Sequence, residues 1–215
     1  MTVEPAAHRV ATVRPVVDRP DIRRSTDLLV AAFGHAIAAA RFACRDLTDE
    51  EYFWEPVTPC WGIRRRGESD APTQHGRGAW IIEMWGHEPP RVTTIGWRLV
   101  HLAVGSETYL DTTFAGGTAT FADAEIPGAA GEAVARLHEA QDRLLAHTAA
   151  VDDAALTQPT PTHWGEELPL WQLLWTSIVE QFHHGAEIGV LRDLKRGHAR
   201  SDWWPELQTS DWWPL

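Results

Sequence analysis

Between Glu180 and Arg192 the chain reads E-Q-F-H-H-G-A-E-I-G-V-L-R, which sets Glu180, His183, His184 and Glu187 within about two turns of a helix. At about 100° per residue, with Glu180 at zero, His184 lies near +40°, Glu187 near −20° and His183 near −60°, so all four share one face. Leu173, Leu191 and Leu194 fall within about 40° of the same direction. A polar cluster that interrupts an apolar stripe is costly to bury unless a partner compensates it, and a divalent metal ion is an efficient partner. Glu180 with His184, and His183 with Glu187, each stand four apart and can reach one ion. As a solvated surface pair, Glu180 and His184 would contribute only a few tenths of a kcal/mol, and the flanking leucines argue against solvation.

Two ligands do not make a firm site, so a third is expected from another helix. His101, in G-W-R-L-V-H-L-A-V-G, sits among apolar residues, and Gly105 one turn later leaves space beside it. Two histidines and a glutamate with an open fourth position form a catalytic zinc ligand set; nickel, iron or manganese also suit nitrogen and oxygen donors. His183 and Glu187 are then outer partners or alternative ligands, and Glu187 has Arg98 and Arg192 as possible ion-pair partners. Arg192 and Asp193 read as helix-terminating or inter-helix groups. His75, His87, His138, His147, His163 and His198 lack ligand-spaced partners and default to solvated surface. Nothing near Cys60 in sequence would lower its pKa, so it is not read as a nucleophile.

Four helices are expected to position these groups. Leu29, Phe33, Ile37, Ala40 and Cys44 recur at helical steps and predict a first helix from about Ser25 to Asp46. Residues 55–91, with Trp54, Trp61, Trp80 and Trp85 nearby or within, read as a long, partly ordered connection with a short hairpin around Trp80–Trp85. A second helix is expected from about Val92 to Phe114, ended by Gly116–Gly117. The third runs from Glu132 to Ala149, with Val134, Leu137, Leu144, Leu145 and Thr148 on one face. The fourth runs from Pro169, suited to a first turn, to Lys195, with Gly197 at its end. The fold class is therefore all-α, a four-helix bundle. Residues 1–24 read as an extended lead-in, 25–197 as the bundle domain, and 198–215 as a Trp-rich tail in which S-D-W-W-P occurs twice.

The 215 residues suit one domain with appendages, and the twelve tryptophans supply flat walls for a core, pocket or interface. A formal net charge of −11 argues against a nucleic-acid partner. Two cysteines without CxxC spacing predict a reducing, cytoplasmic location rather than a disulfide framework. No apolar h-region opens the chain and no uninterrupted apolar run predicts a membrane span.

The phrases I-G-W-R-L-V-H-L, Y-L-D-T-T-F and E-Q-F-H-H-G-A-E-I-G-V-L-R-D-L, with L-T-D-E-E-Y-F-W-E-P after the first helix, resemble the DinB-like superfamily, which includes mycothiol-dependent maleylpyruvate isomerases and bacillithiol or mycothiol S-transferases. The resemblance runs from about Ser25 to Arg196, and H-H-G-A-E-I is its most specific part. It implies a four-helix bundle whose metal triad takes one His from the second helix and two ligands one turn apart on the fourth. The His-x3-His form of that pair is broken here, because Val179 stands four before His183. The Glu-x3-His form of the maleylpyruvate-isomerase branch is intact as Glu180 and His184, and the second-helix ligand maps to His101. Which of His183 and His184 faces the ion stays open at this point. The resemblance further implies a low-molecular-weight thiol as cosubstrate, a small electrophilic substrate, thiol S-transfer or isomerisation, and a homodimer. Trp97 and Trp61 are candidate walls for the substrate or parts of the core. The alternatives are a non-catalytic metal- or ligand-binding protein and a metal-dependent hydrolase.

Overall fold

The long helices of this protein differ in what satisfies their first amides: a carboxylate for two of them, a threonine hydroxyl for one and backbone carbonyls for the last. The computed structural model describes residues 22–84 and 92–197. The lead-in up to residue 21, Trp85, His87 and the Pro89–Pro90 pair, and the tail with His198 and both S-D-W-W-P repeats lie outside the described residues.

Helix α1 (Ser25–Cys44) buries Phe33, Ala36, Ile37, Ala40 and Cys44. Its first amides are held from across the molecule: Ser25 N and Thr26 N donate to the Asp153 carboxylate at 2.8 and 3.0 Å, and Thr26 Oγ1 donates at 2.6 Å. Among the described residues, α1 is the one helix long and apolar enough to cross a membrane by length and composition, with mean hydropathy 1.4. Its buried residues nevertheless pack against α4 and α5 as those of a core helix do.

A single-turn helix α2 (Asp49–Tyr52) follows, closed by a reciprocal Thr48–Glu51 capping pair. The connection beyond it is more ordered than its sequence predicts. Strands β1 (Ile63–Arg65), β2 (Thr73–His75) and β3 (Trp80–Met84) form an antiparallel sheet in the order β1-β3-β2, with Ile63 opposite Ile82 and Thr73 opposite Met84. The expected Trp80–Trp85 hairpin is thus corrected: Trp80–Met84 is one central strand. The reason is burial on both sides, since Ile81 and Ile82 are both fully covered, a pattern without the alternation that marks a half-exposed hairpin.

Helix α3 (Ile95–Tyr109) starts three residues later than expected, because Thr94 Oγ1 accepts from Trp97 N at 3.1 Å and caps it. It passes into a π-helical turn over Leu110–Ala115, ended by Gly116 at φ 67°. Helix α4 (Ala130–Ala149) buries Leu137, Leu144 and Thr148 as expected, with Val134 and Leu145 half-buried. A two-stranded antiparallel hairpin, β4 (Pro159–Pro161) and β5 (Glu167–Pro169), leads into α5 (Leu170–Arg196). Pro169 caps α5 rather than entering its first turn, and Gly197 at φ 67° ends it.

The four long helices form the bundle, α1 lying chiefly along α5 and α3 along α4. A ladder of side-chain amides crosses all four: Arg41 Nε donates to Gln141 Oε1 at 2.8 Å, Gln141 Nε2 to Gln181 Oε1 at 2.7 Å, and Gln181 Nε2 to Ser106 Oγ at 3.3 Å. At the far end of α5, Arg192 is buried, pairs with Glu51 at 3.1 Å and donates to the α1 carbonyl of Ala43 at 2.7 Å. This is the inter-helix role its position suggested. On the expected apolar stripe of α5, Leu173 and Leu191 are buried but Leu194 is exposed, since no described residue covers that side of the helix there. A separate outer face of α5 leaves Trp171, Trp175, Val179, Phe182 and Val190 exposed.

The Asp153 clamp on α1 carries a pH signature. Its hydrogen bond from the Thr26 hydroxyl, followed by those from the Thr26 and Ser25 amides, holds the carboxyl down at about 2. A depressed carboxyl stabilises the fold above its unfolded value of about 3.9 and loses that contribution as pH falls through the folded value. Thermal melts are expected to show the wild type losing Tm more steeply than Asp153→Asn between about pH 4 and pH 2, with Asp153→Asn already lower at pH 7.

Candidate metal centre

Helices α3 and α5 meet where their sequences are least like a core. From α3 come Trp97, Arg98 and His101; from α5 come Glu180, His184 and Glu187. Two glycines near this meeting have opposite jobs. A Cβ at Gly185 would stand 3.0 Å from Ala40 Cα, so the bare backbone lets α1 press on α5 beside His184. At Gly105 a Cβ would meet nothing within 4 Å, so the missing side chain leaves room instead.

His101 Nε2 lies 3.1 Å from Glu180 Oε2, and His184 Nε2 lies 3.2 Å from the same oxygen. The three residues form a group whose donor atoms all fall within 4.8 Å of one another. Two donors about 2.05 Å from a tetrahedral zinc are separated by about 3.3 Å, close to the spacings seen here. His101 is held between two aromatic rings, stacked on Trp97 at 4.8 Å and 9° and on Phe121 at 5.7 Å and 23°. Trp97 is fixed in turn by its indole N–H, which donates to the Glu83 carbonyl of β3 at 2.5 Å. The small sheet therefore acts on the site through Trp97.

The question of which adjacent histidine faces inward has a geometric answer: His184 is buried and His183 exposed. Glu187 accepts from His184 Nδ1 at 2.7 Å, stands 3.1 Å from His183 Nε2, and is paired with the Arg98 guanidinium. His183, His184 and Glu187 are also close enough to group around an ion. The Arg98 charge on Glu187 and the exposure of His183 make that second position much the poorer one for a cation.

The electrostatics are those of a crowded seam. Hydrogen bonds from His101 and then His184 hold Glu180 well below the usual carboxylate range, against the opposing effect of burial. Burial is the leading influence on His184 and pushes it down, although Glu180 pulls the other way. A neutral His184 has one N–H and two carboxylates within reach. If Glu187, the shorter contact, accepts the Nδ1–H, the Nε2 lone pair becomes free for an ion; if Nε2 keeps the proton, it donates to Glu180. Burial lowers Arg98 to about 10, still cationic at neutral pH.

Beside this cluster lies a cavity of about 270 Å³, bounded by His101 and Glu180 on one side and by Tyr109, Phe121, His163 and Trp164 on others. Burial first, then the Glu180 charge, raises the Tyr109 phenol to about 12, so it stays protonated.

A family model for the DinB superfamily matches residues 32–188. The chain belongs to the DinB superfamily. No curated protein and no solved structure matches it. Members of the DinB superfamily generally bind metal, and this DinB chain has a His/Glu group able to hold a divalent ion.

Several expectations are revised. Trp61 is buried against the β1 end of the sheet, bridged to Thr93, and does not line the cavity; Trp97 packs behind His101. His147 is exposed as expected, but His75, His138 and His163 are half-buried, and burial pushes all three below the ordinary histidine value. His163 is the one of these that reaches the cavity. The sequence signal for it is T-H-W-G directly after a Pro/Thr-rich segment, a hairpin tip with Gly165 at φ 92°. Arg98 pairs with Glu187, as one of the two partners suggested for it, whereas Phe121 carries no spacing signal at all. Cys44 and Cys60 are free, buried and raised by that burial to about 12 and about 11, so neither is a thiolate.

The two glycines make contrasting predictions. Gly185→Ala is expected to cost about 1–3 kcal/mol in urea denaturation, since α1 must yield. Gly105→Ala is expected to stabilise by roughly 0.8–1 kcal/mol, the gain in helix propensity with nothing in the way.

Proposed function

We propose that this protein is a divalent-metal-dependent enzyme in which His101, Glu180 and His184 hold the ion, and in which a low-molecular-weight thiol attacks a small electrophile in an S-transferase or isomerase reaction. The observation that carries the reading is the convergence of two imidazole nitrogens on one carboxylate oxygen at the wall of a cavity. The donor set suits zinc best, with nickel, iron and manganese compatible. Bound there, a divalent ion supplies a Lewis acid that favours thiolate over thiol near neutral pH.

The chain's own residues do the positioning. With the ion bound, Glu187 would accept a hydrogen bond from His184 Nδ1–H, leaving the Nε2 lone pair to face inward, and Arg98 keeps Glu187 in place. The Trp97 and Phe121 rings hold the His101 plane. Mycothiol and bacillithiol are the thiols the superfamily resemblance points to. Two free cysteines fit a reducing cytoplasmic setting.

Elemental analysis tests the ligand set. Wild type is expected to retain stoichiometric metal, His101→Ala and Glu180→Ala to lose it, and Glu187→Gln to weaken affinity by about 10–100-fold. Metal retained equally by both alanine variants overturns the assignment. Conjugation of monochlorobimane with mycothiol, bacillithiol or glutathione then reads out the chemistry. Bound metal without conjugation favours a non-catalytic binder, and turnover of substrate without thiol favours a hydrolase.

We also propose that two copies pair through the outer face of α5. Trp171, Trp175, Val179, Phe182 and Val190 span an arc of about 100° with no charged residue on it between them. Such an uninterrupted apolar strip can be self-complementary about a two-fold axis. Light scattering is expected to give a dimer, reduced to a monomer by Trp175→Glu with Phe182→Glu; a wild-type monomer at micromolar concentration ends the idea.

A further inference from the structure

The cavity beside the metal ligands has a second polar side, contributed by the β4–β5 hairpin. The tip of that hairpin is built rigidly. Thr162 N donates to the Glu166 carbonyl at 2.8 Å, Glu166 N donates back to Thr162 Oγ1 at 2.9 Å, and the Trp164 indole donates to Glu166 Oε2 at 2.9 Å. The tip delivers His163 and Trp164 against Tyr109, with ring centroids 5.3 and 6.3 Å from it in edge-to-face arrangements. His163 makes no hydrogen bond to any described residue; its Nδ1 is buried and unsatisfied, as is Ser177 Oγ in the same cavity wall. Buried polar groups are nearly always paired, so two unsatisfied ones around a single cavity call for an explanation. Among the described residues lining the cavity there is no Lys or Arg, and its one carboxylate is Glu180.

We infer that this cavity binds the organic part of the electrophile, as an uncharged planar conjugated group whose carbonyl is hydrogen-bonded by His163, opposite the His101–Glu180 wall. The inference rests on the metal-dependent reading above and names the substrate class for that same site. Three features lead to it. Tyr109, Phe121 and Trp164 present aromatic surface, which favours a flat guest. Apart from an ion on the His101–Glu180 wall, whose charge Glu180 already partly neutralises, the lining has no Lys or Arg to pair with an anionic guest, and burying an unpaired charge is costly. At about 270 Å³ the space lies just under the usual range for small-molecule pockets, about 300–1,000 Å³, and suits one substituted ring rather than a peptide or a nucleotide. A space of this size does not hold the polar bulk of a thiol cosubstrate beside such a ring, and that bulk is left outside. Gly105 makes the space: it lines the cavity, and its absent side chain would project into open volume.

Saturation-transfer NMR with benzamide, a neutral planar carbonyl probe, and benzenesulfonate, an anionic probe of similar size, tests this on the full chain as purified. Benzamide is expected to bind and benzenesulfonate not to. Gly105→Leu, which fills the cavity, is expected to abolish benzamide binding. His163→Phe keeps a ring but removes the hydrogen bond, and is expected to weaken binding about three- to tenfold. Both variants are expected to retain metal as the wild type does. No benzamide binding, binding indifferent to both variants, or equal binding of benzenesulfonate overturns the inference. Elemental analysis of the same samples separates the two readings: a metal-free wild type that still binds benzamide in this pattern sinks the metal assignment and leaves the cavity assignment standing.

Discussion

The Glu180 carboxylate sits in the seam between two packed helices, and the surrounding structure answers to that placement. Desolvation alone would push such a group toward its neutral form. Two imidazoles, one from each helix, reverse that tendency, and each needs its own support. His101 is clamped between Trp97 and Phe121, and His184 is braced by Glu187 and Arg98. Remove the carboxylate from the seam and none of these second partners has a reason to be there. The small sheet belongs to the same chain of dependence, because it anchors the Trp97 indole.

The amide ladder from Arg41 to Ser106 complements this arrangement. It joins all four long helices at a level near Glu180, with Gln181 as the adjacent residue in sequence. Hydrogen bonds between buried amides are directional, so they fix the rotation of α5 more sharply than apolar packing does. That rotation decides that His184 rather than His183 points inward. The pressed contact at Gly185 sets the depth of α5 in the same region.

Much of this was legible in the residues. The apolar steps of α1, the face shared by Glu180 and His184, and His101 as a lone imidazole in an apolar run all rest on helical periodicity, which is local. The sheet inserted between α2 and α3 was not, because its central strand is buried on both faces and so lacks alternation. Leu194 misled for a related reason: periodicity gives the direction of a side chain but not whether a neighbour reaches that far along the helix. Arg98 was foreseen as a partner for Glu187, but Phe121 was invisible because its role comes from long-range contact. His163 was hidden by its setting, since a histidine in a Pro/Thr-rich turn looks like surface until the hairpin is folded back onto Tyr109.

The β4–β5 hairpin separates two tasks in the chain. The groups placed to hold an ion come from the long helices, where any change disturbs packing. The residues facing them across the cavity, His163 and Trp164, stand on a short stapled tip whose own hydrogen bonds close within Thr162–Glu166. Changes at those two positions touch the bundle core only through Tyr109, so the tip can diversify during descent while the helices stay under constraint. Divergence among relatives sharing this hairpin would then concentrate at its tip, altering the guest accepted long before the bundle itself drifts.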